Sequence, residues 1–300
     1  MKLLNFGSLN LDYVYQVEHF VRPGETLSSN SRQIFCGGKG LNQSIALARA
    51  GAEVYHAGAV GEEDGEILCK ELLKNRVNIK HISKNPDVVT GHAIIQIDKT
   101  GQNCILLYGG ANQTITIEQI DNTLACFENG DYILLQNEIS NLQYIVKKAH
   151  DKGMIIVLNP SPLNNEILAL PLEYIDYFIL NEIEAADLCG EEEQDKLIGS
   201  LVKKFPASKF MLTLGKKGVR YWDGEQLFSH GIYRVPVVDT TAAGDTFTGY
   251  FISSIVQGHS SQEALRLASV ASSIAVSRKG ASSSIPMLEE VKNSNLILDA

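Results

Sequence analysis

Short apolar runs of strand length alternate with amphipathic runs of helix length through most of this 300-residue chain, and that order limits the possible folds more than any other feature. Leu3–Gly7 is apolar and ends in glycine, as a buried first strand does. Leu41–Ala50 then reads as helix, Glu53–Ala57 as strand, Asp64–Asn75 as helix, Tyr132–Gln136 as strand, Leu142–Lys152 as helix and Ile155–Asn159 as strand. The order continues through Tyr177–Leu180, Glu182–Leu188, Lys196–Phe205 and Lys209–Leu214 to the helices Phe247–Val256 and Gln262–Val276. Parallel strands need a long crossover between them, so this pattern predicts a mainly parallel sheet with helices on both faces. Ligands of such sheets bind beyond the carboxyl ends of the strands, which is where chemistry is to be sought.

Two stretches interrupt the alternation. Tyr13–Val17 and Leu27–Phe35 flank the turn Arg22-Pro23-Gly24-Glu25, while Gly91–Ile97 and Cys104–Tyr108 flank Asp98–Asn103, a hairpin signal. The expectation is one domain over residues 1–300 with a small projecting β-sheet inserted at about 12–36 and 90–109. With 44% hydrophobic residues a full core is available. A net charge of -9, without a Lys/Arg stripe interleaved with aromatics, argues against a nucleic-acid partner. Cys36, Cys69, Cys104, Cys126 and Cys189 lack CxxC spacing and read as reduced thiols of a cytoplasmic protein, with neither a zinc site nor a disulfide framework. No apolar run nears the roughly 18 residues of a membrane span, and none resembles a signal peptide.

The stretch Asp239-Thr240-Thr241-Ala242-Ala243-Gly244-Asp245-Thr246-Phe247-Thr248-Gly249 leads into a helix expected to start near Asp245. The first turn of a helix has unpaired donors and partial positive charge, and Ala242, Ala243 and Gly244 leave the backbone open to an anion such as phosphate. A carboxylate at Asp245 then makes sense as the acceptor of a hydroxyl proton while the amides hold phosphoryl charge. The alternative is that Asp245 only caps its helix.

Five other segments fall at expected strand ends, each with a plainer reading. Asn10 and Asp12 share a face if Gly7–Asp12 is extended and can grip sugar hydroxyls, or they make a local turn. Gly37-Gly38-Lys39-Gly40-Leu41-Asn42-Gln43 opens a helix with donors on Lys39 and Asn42, yet is neither a Walker loop nor GxGxxG, and glycine turns without ligands are common. Asn181-Glu182-Ile183-Glu184 offers a carboxylate that can order water around Mg²⁺, or a helix cap. Thr213–Gly218 joins glycines with lysines as a phosphate-facing loop does, or turns a hairpin into Val219–Trp222. Ala275–Ser284 ends a helix whose unpaired carbonyls suit a monovalent cation, or is an ordinary C-terminal turn.

Together these segments resemble the ribokinase (PfkB) family of carbohydrate kinases over nearly the whole chain: the GSxNxD start, GGKGxNQ, Asn159-Pro160-Ser161-Pro162, NxxE at Asn181–Glu184, TLGxxG at Thr213–Gly218, DTTAAGDTF and the RKGA tail. GGKGxNQ is similar to the ribokinase branch in particular. The resemblance implies a three-layer α/β/α sandwich with a β-sheet lid, and ATP-dependent phosphorylation of a primary hydroxyl, O5 of D-ribose foremost. It implies Asp245 as base and Ala242, Ala243 and Gly244 as anion hole; an ordinary ionised carboxylate suffices for the base, since the alcohol loses its proton late. Sugar contacts fall on Asn10, Asp12, Gly38, Lys39, Asn42 and Glu138. The ATP and Mg²⁺ side falls on Asn181, Glu184, Thr213, Gly215, Lys216 and Gly218, with Glu184 acting on Mg²⁺ through water. A K⁺ site falls on Asp239, Thr241, Ala275, Arg278, Gly280 and Ser284, and the lid implies a homodimer. Leu41, Ser44, Asn137 and Tyr13 depart from the family pattern, and Leu41, Asn137 and Tyr13 adjoin sugar positions, so they bear on which sugar is used. Kinases of fructose, deoxyribose, pseudouridine or adenosine, and a non-catalytic sugar-binding regulator, are the alternatives; a dinucleotide oxidoreductase is disfavoured by the missing GxGxxG.

Overall fold

The computed structural model describes residues 1–299. The elements in chain order are β1 (Leu3–Phe6), β2 (Asn10–Gln16), β3 (Ser31–Gly37), α1 (Lys39–Arg49), β4 (Val54–Gly61), α2 (Glu66–Lys74), β5 (Asn78–Asn85), β6 (Gly91–Ile97) and β7 (Asn103–Tyr108). They continue as α3 (Ile117–Leu124), β8 (Tyr132–Gln136), α4 (Leu142–Asp151), β9 (Ile155–Asn159), α5 (Asn165–Leu168), β10 (Tyr177–Asn181), α6 (Glu182–Cys189) and α7 (Leu197–Lys204). Last come β11 (Lys209–Thr213), β12 (Val219–Trp222), β13 (Leu227–His230), α8 (Ala243–Val256), α9 (Ser261–Val276) and α10 (Leu288–Lys292).

Nine strands form one sheet in the order β13-β12-β11-β10-β9-β8-β1-β4-β5. The seven strands from β11 to β5 run parallel, and β12 and β13 add an antiparallel edge. Strand order departs in opposite directions on either side of β1, towards β4 on one side and β8 on the other. A crevice therefore opens beyond the carboxyl ends of β1 and β8, the place where sheets of this kind take ligands.

Central strands are apolar on both faces because both are covered. Leu4 and Phe6 of β1 pack with α3, α4, α6 and α7, whereas Leu3 packs with α1, α8 and α9, giving two cores on opposite sides of the sheet. The expected excursions form a separate four-stranded sheet, β3-β2-β6-β7. Sequence reading missed β5 and α3. As an edge strand β5 alternates polar and apolar residues, so Asn78–Asn85 has no apolar run; in α3 the β-branched Thr114–Ile117 hides a helix that starts where Thr116 accepts the Gln119 amide. Helix α8 begins two residues before the expected Asp245, at Ala243.

Helices α1 and α8 lie against each other at an unusually close approach. A β-carbon at Gly249 would stand 2.7 Å from the Leu47 amide nitrogen and 2.9 Å from the Ala46 carbonyl carbon, so the helices meet backbone to backbone. This contact sets the separation of Asn42 and Gln43 on α1 from Asp245 on α8. Gly249→Ala should lower stability, because overpacking costs about 1–3 kcal/mol and outweighs the ~1 kcal/mol of added helix propensity. Urea unfolding reads this directly; a midpoint equal to the parent's would show that the helices do not meet at this distance.

Candidate active site

The site is built from loops that leave the carboxyl ends of adjacent parallel strands. Asn10 and Asp12 open β2, which follows β1, Glu138 follows β8, Asn159 ends β9, Asn181 ends β10 and Glu184 lies in the first turn of α6, and Thr213 ends β11. A cleft of about 230 Å³ is lined by Lys39, Asn159, Ser161, Asn181, Glu184, Thr213, Thr240, Thr248 and the run Ala242–Asp245.

The start of α8, like those of α1, α2, α4 and α7, contrasts with the starts of α6 and α9, whose first amides are taken by side chains. Asn181 accepts the Glu184 amide and Glu184 accepts the Asn181 amide in a reciprocal box that closes the start of α6, and Ser260 accepts the Glu263 amide at α9. No side chain caps α8. Its N-cap, Ala242, is left-handed at φ 58°, a strained state for a residue with a β-carbon. Ala243 N–H turns back to the Thr240 carbonyl at 3.2 Å, whereas the Gly244 and Asp245 amides have no acceptor among the described residues. Asp245 does not cap its own helix: its carboxylate is occupied by α1, accepting from Asn42 Nδ2 at 3.0 Å on Oδ2 and from Gln43 Nε2 at 2.8 Å on Oδ1.

Burial pushes the Asp245 carboxyl up to about 6, against the lowering effect of the two amide bonds and of Lys39. Near neutral pH it is ionised and able to accept a proton. Lys39 itself bridges Glu138 at 2.6 Å; burial opposes its charge, but Glu138 outweighs burial and holds the ammonium on. Ser8 Oγ donates to the other Glu138 oxygen. Asp12 leans over Gly37, where a β-carbon would stand 2.6 Å from its Cγ, and burial followed by the charge of Glu138 raises its carboxyl to about 7. The Asn10 carbonyl oxygen accepts from Asn112 Nδ2 at 2.8 Å, which leaves its own amide hydrogens for a ligand. Acceptors Asp12 and Glu138, donors Lys39 and Asn10, and Asp245 thus converge beside the open end of α8, an arrangement suited to holding a polyol and taking one hydroxyl proton.

Some expected residues sit otherwise. Gly215, Lys216 and Gly218 belong to a turn beyond Thr213, which alone of that segment lines the cleft. The carbonyls at the end of α9 are not unpaired as expected: Ile274 O takes Ser277 N–H, Ala275 O takes Arg278 N–H, and Val276 O takes the amides of Val238 and Asp239. The Arg278 side chain turns away to Glu290 at 2.6 Å. Asp239 still ties the two segments together, accepting from Thr241 N–H and Oγ–H on one oxygen and from Gly280 N–H on the other.

Positions expected to bear on the choice of sugar also sit elsewhere. Leu41 is fully buried in the core, Asn137 donates to the Pro162 carbonyl at 2.5 Å, and Tyr13, next to Asp12 on β2, points to the opposite face, where it meets His92 and the Arg32 guanidinium. Conversely Gln43, Asn159, Thr240 and Thr248 belong to the site and carried no assigned role; all four stood inside quoted stretches, which was the available signal.

A family model described as pfkB family carbohydrate kinase matches residues 1–288. A ribokinase of Haemophilus influenzae is 37% identical over 299 residues, 95% of each chain. The crystal structure of a ribokinase from Thermotoga maritima aligns with a TM-score of 0.85 at 33% identity over 97% of this chain and 98% of that one. That of Arabidopsis thaliana ribokinase complexed with ribose and ATP aligns at 0.84 and 30% identity over 97% of each. Family match, full-length relatives and the cleft geometry agree, and the chain belongs to the pfkB family of carbohydrate kinases.

Proposed function

We propose that this kinase transfers the γ-phosphoryl group of ATP to the 5-hydroxyl of D-ribose, with Asp245 as the base. The observation that carries the assignment is the uncapped start of α8, where unpaired amides stand next to a partly buried carboxylate that α1 holds in place. Ribose is drawn from the relatives, since both the Haemophilus influenzae and Thermotoga maritima proteins are named ribokinase and the Arabidopsis thaliana one is complexed with ribose and ATP.

In this reading Asn10, Asp12, Lys39 and Glu138 bind the sugar hydroxyls, with Gly38 and Asn42 completing that side. Asp245 receives the 5-hydroxyl proton as the new phosphorus–oxygen bond forms, and the bond to the ADP oxygen breaks in line. Of the expected anion hole, the amides of Ala242 and Gly244 face the transferring group and stabilise its charge, whereas the Ala243 amide is already taken by the Thr240 carbonyl. Asn181, Glu184 and Thr213 hold the nucleotide side, with Gly215, Lys216 and Gly218 in the turn behind them. Magnesium, when bound, neutralises the phosphates. Glu184 fits a water-mediated role, since Asn181 occupies only its Oε2 and Mg²⁺ keeps most of its waters. The residues that would hold K⁺ are Asp239, Thr241, Ala275, Arg278, Gly280 and Ser284, through oxygens that keep a second lone pair, since the Ala275 carbonyl already takes Arg278 N–H and the Arg278 guanidinium is bound to Glu290.

The small sheet is proposed as a lid over the sugar and as the contact of a homodimer. Its edge strand β7 presents Ile105, Leu106, Leu107 and Tyr108, all at least half exposed, and an uncovered apolar edge of this kind invites pairing. Light scattering at micromolar concentration should give twice the chain mass, and Leu106→Lys should halve it; a parent that scatters as a monomer would exclude the interface.

Substrate choice is tested by ADP release from Mg·ATP with D-ribose beside fructose, deoxyribose, adenosine and pseudouridine, each in potassium or tetramethylammonium. Turnover on ribose, stimulated by potassium, is expected; turnover on another compound alone would move the assignment to it, and indifference to the cation would remove the K⁺ site.

Two carboxylates give the pH profile its form. A base must be ionised, so kcat should be level above about pH 7 and fall about tenfold per unit below the Asp245 value of about 6. Asp12 titrates near 7 in the free enzyme, so the ribose KM should rise as the pH falls through that value. Asp245→Asn should cost about 10²- to 10⁴-fold in kcat while ATP binding changes less than about threefold. Near-parental turnover in that variant would sink the assignment of the base.

A further inference from the structure

Behind Asp245 lies a buried chain of side-chain amides whose orientation can be worked out from its two ends. At one end Asn159 Nδ2 donates to the Ile179 carbonyl at 3.0 Å. A carbonyl only accepts, so Asn159 must turn its NH₂ there and its oxygen towards Gln43. Gln43 must therefore donate: its Nε2 gives one hydrogen to Asn159 Oδ1 at 3.0 Å and the other to Asp245 Oδ1 at 2.8 Å. At the other end Asn5 Nδ2 donates to the Gly40 carbonyl at 2.7 Å and to Ser44 Oγ at 2.8 Å, which turns Asn5 Oδ1 inward. Gln136 stands between two inward-facing oxygens. Its Nε2 donates to Gln43 Oε1 at 2.7 Å and to Asn5 Oδ1 at 2.9 Å, and its own oxygen has no partner among the described residues.

The orientation of Gln136 follows from the arrangement. Both its hydrogens are used, and reversing its amide would set its oxygen against the Gln43 and Asn5 oxygens at once. Asn5, Gln43 and Gln136 are fully buried, so water cannot take over the bonds among them. Two backbone carbonyls, Ile179 O and Gly40 O, thus fix which end of Gln43 meets the base.

From this geometry we infer that Gln43 is a positioning residue for Asp245 and that Gln136 locks it, holding its NH₂ rather than its oxygen against the carboxylate. A reversed Gln43 would place an oxygen on Asp245 Oδ1, repel the ionised form and release the carboxylate from the direction set by α1. The inference rests on Asp245 being the base. The other charged groups acting on that carboxylate are Lys39, which favours its ionised form, and Glu138, which opposes it; Glu184 lies on the nucleotide side of Lys39. None of the three takes part in the amide chain.

Gln136→Met keeps the volume and removes both donors. We expect the Asp245 carboxyl resonance, assigned by ¹³C NMR through its loss in Asp245→Asn, to titrate at least about half a unit higher than in the parent. The acid limb of kcat should move with it, and kcat at pH 7 should fall about three- to tenfold with the ATP KM held within about twofold. Gln43→Met should shift the titration further. A titration at the parent's position in both variants, even with a lowered melting temperature, would reduce the chain to scaffolding and overturn the lock. The NMR readout does not use turnover, so an Asp245→Asn enzyme that remained active would refute the base while leaving the lock open to its own test. Should the variants fail to fold, the parent suffices: side-chain Nε2 protons of Gln43 and Gln136 should be strongly protected from hydrogen exchange, and rapid exchange would overturn the inference.

Discussion

The contact on which the rest of the site depends joins two helices far apart in the chain. Asn42 and Gln43 near the start of α1 reach Asp245 near the start of α8, more than 200 residues later, and each satisfies one carboxylate oxygen. The two helix starts must therefore lie within hydrogen-bond reach of each other, which the backbone-close packing at Gly249 makes possible. A second close approach sets α1 against β1: a β-carbon at Gly40 would stand 2.5 Å from the Gly7 carbonyl carbon. Glycines at these two points place α1 tightly between the first strand and α8, so the sugar side and the phosphoryl side of the cleft share one rigid element.

This arrangement works against stability in several places. Helix α8 has no side-chain cap among the described residues, Ala242 is strained, and the Asp12 and Asp245 carboxyls sit in surroundings that disfavour their charged forms. The sign of the carboxylate effect is definite. Both have folded-state values raised above the ordinary carboxylate range, so the folded chain binds protons more tightly than the unfolded one. Each opposes folding above its folded value, and the opposition shrinks as the pH falls through about 7 and about 6 towards the unfolded range. The capped helices α6 and α9 and the two apolar cores carry the fold around these defects.

Much of this was legible in the sequence where one local rule and the tertiary context agree. Tyr132–Gln136 and Ile155–Asn159 are bounded as read, because a strand covered on both faces is an uninterrupted apolar run. Legibility failed for β5, whose edge position allows polar residues, and at Ala275–Ser284, where the Ala275 carbonyl is taken locally by Arg278 and the Val276 carbonyl by Val238 and Asp239 from a loop far upstream. Within the site, motifs identified which loops matter but not which atom meets which. Asn181 and Glu184 cap each other while also lining the cleft, so the plain reading holds and does not exclude the functional one. The role of Gln43 could not be read at all, since it depends on partners contributed by two separate strands and a distant helix.

Those partners also bear on where sugar selectivity resides. Leu41, Asn137 and Tyr13 adjoin sugar-side residues in sequence, yet none of them turns its side chain into the cleft. The reason is geometric: alternation along β2 sends Tyr13 to the face opposite Asp12, and the helical turn at Leu41 sends it into the core while Lys39 and Asn42 turn to Glu138 and Asp245. A change of residue there alters packing behind the site and leaves its hydrogen-bonding groups in place. Discrimination between polyols has to come from groups that would be left unpaired by the wrong one, because losing a buried hydrogen bond costs far more than misfitting a methylene. Asp12 is the sharpest such group: it is partly buried, close to the charge of Glu138, and without a donor of its own among the described residues, so a ligand lacking the matching hydroxyl would leave that carboxylate unsatisfied.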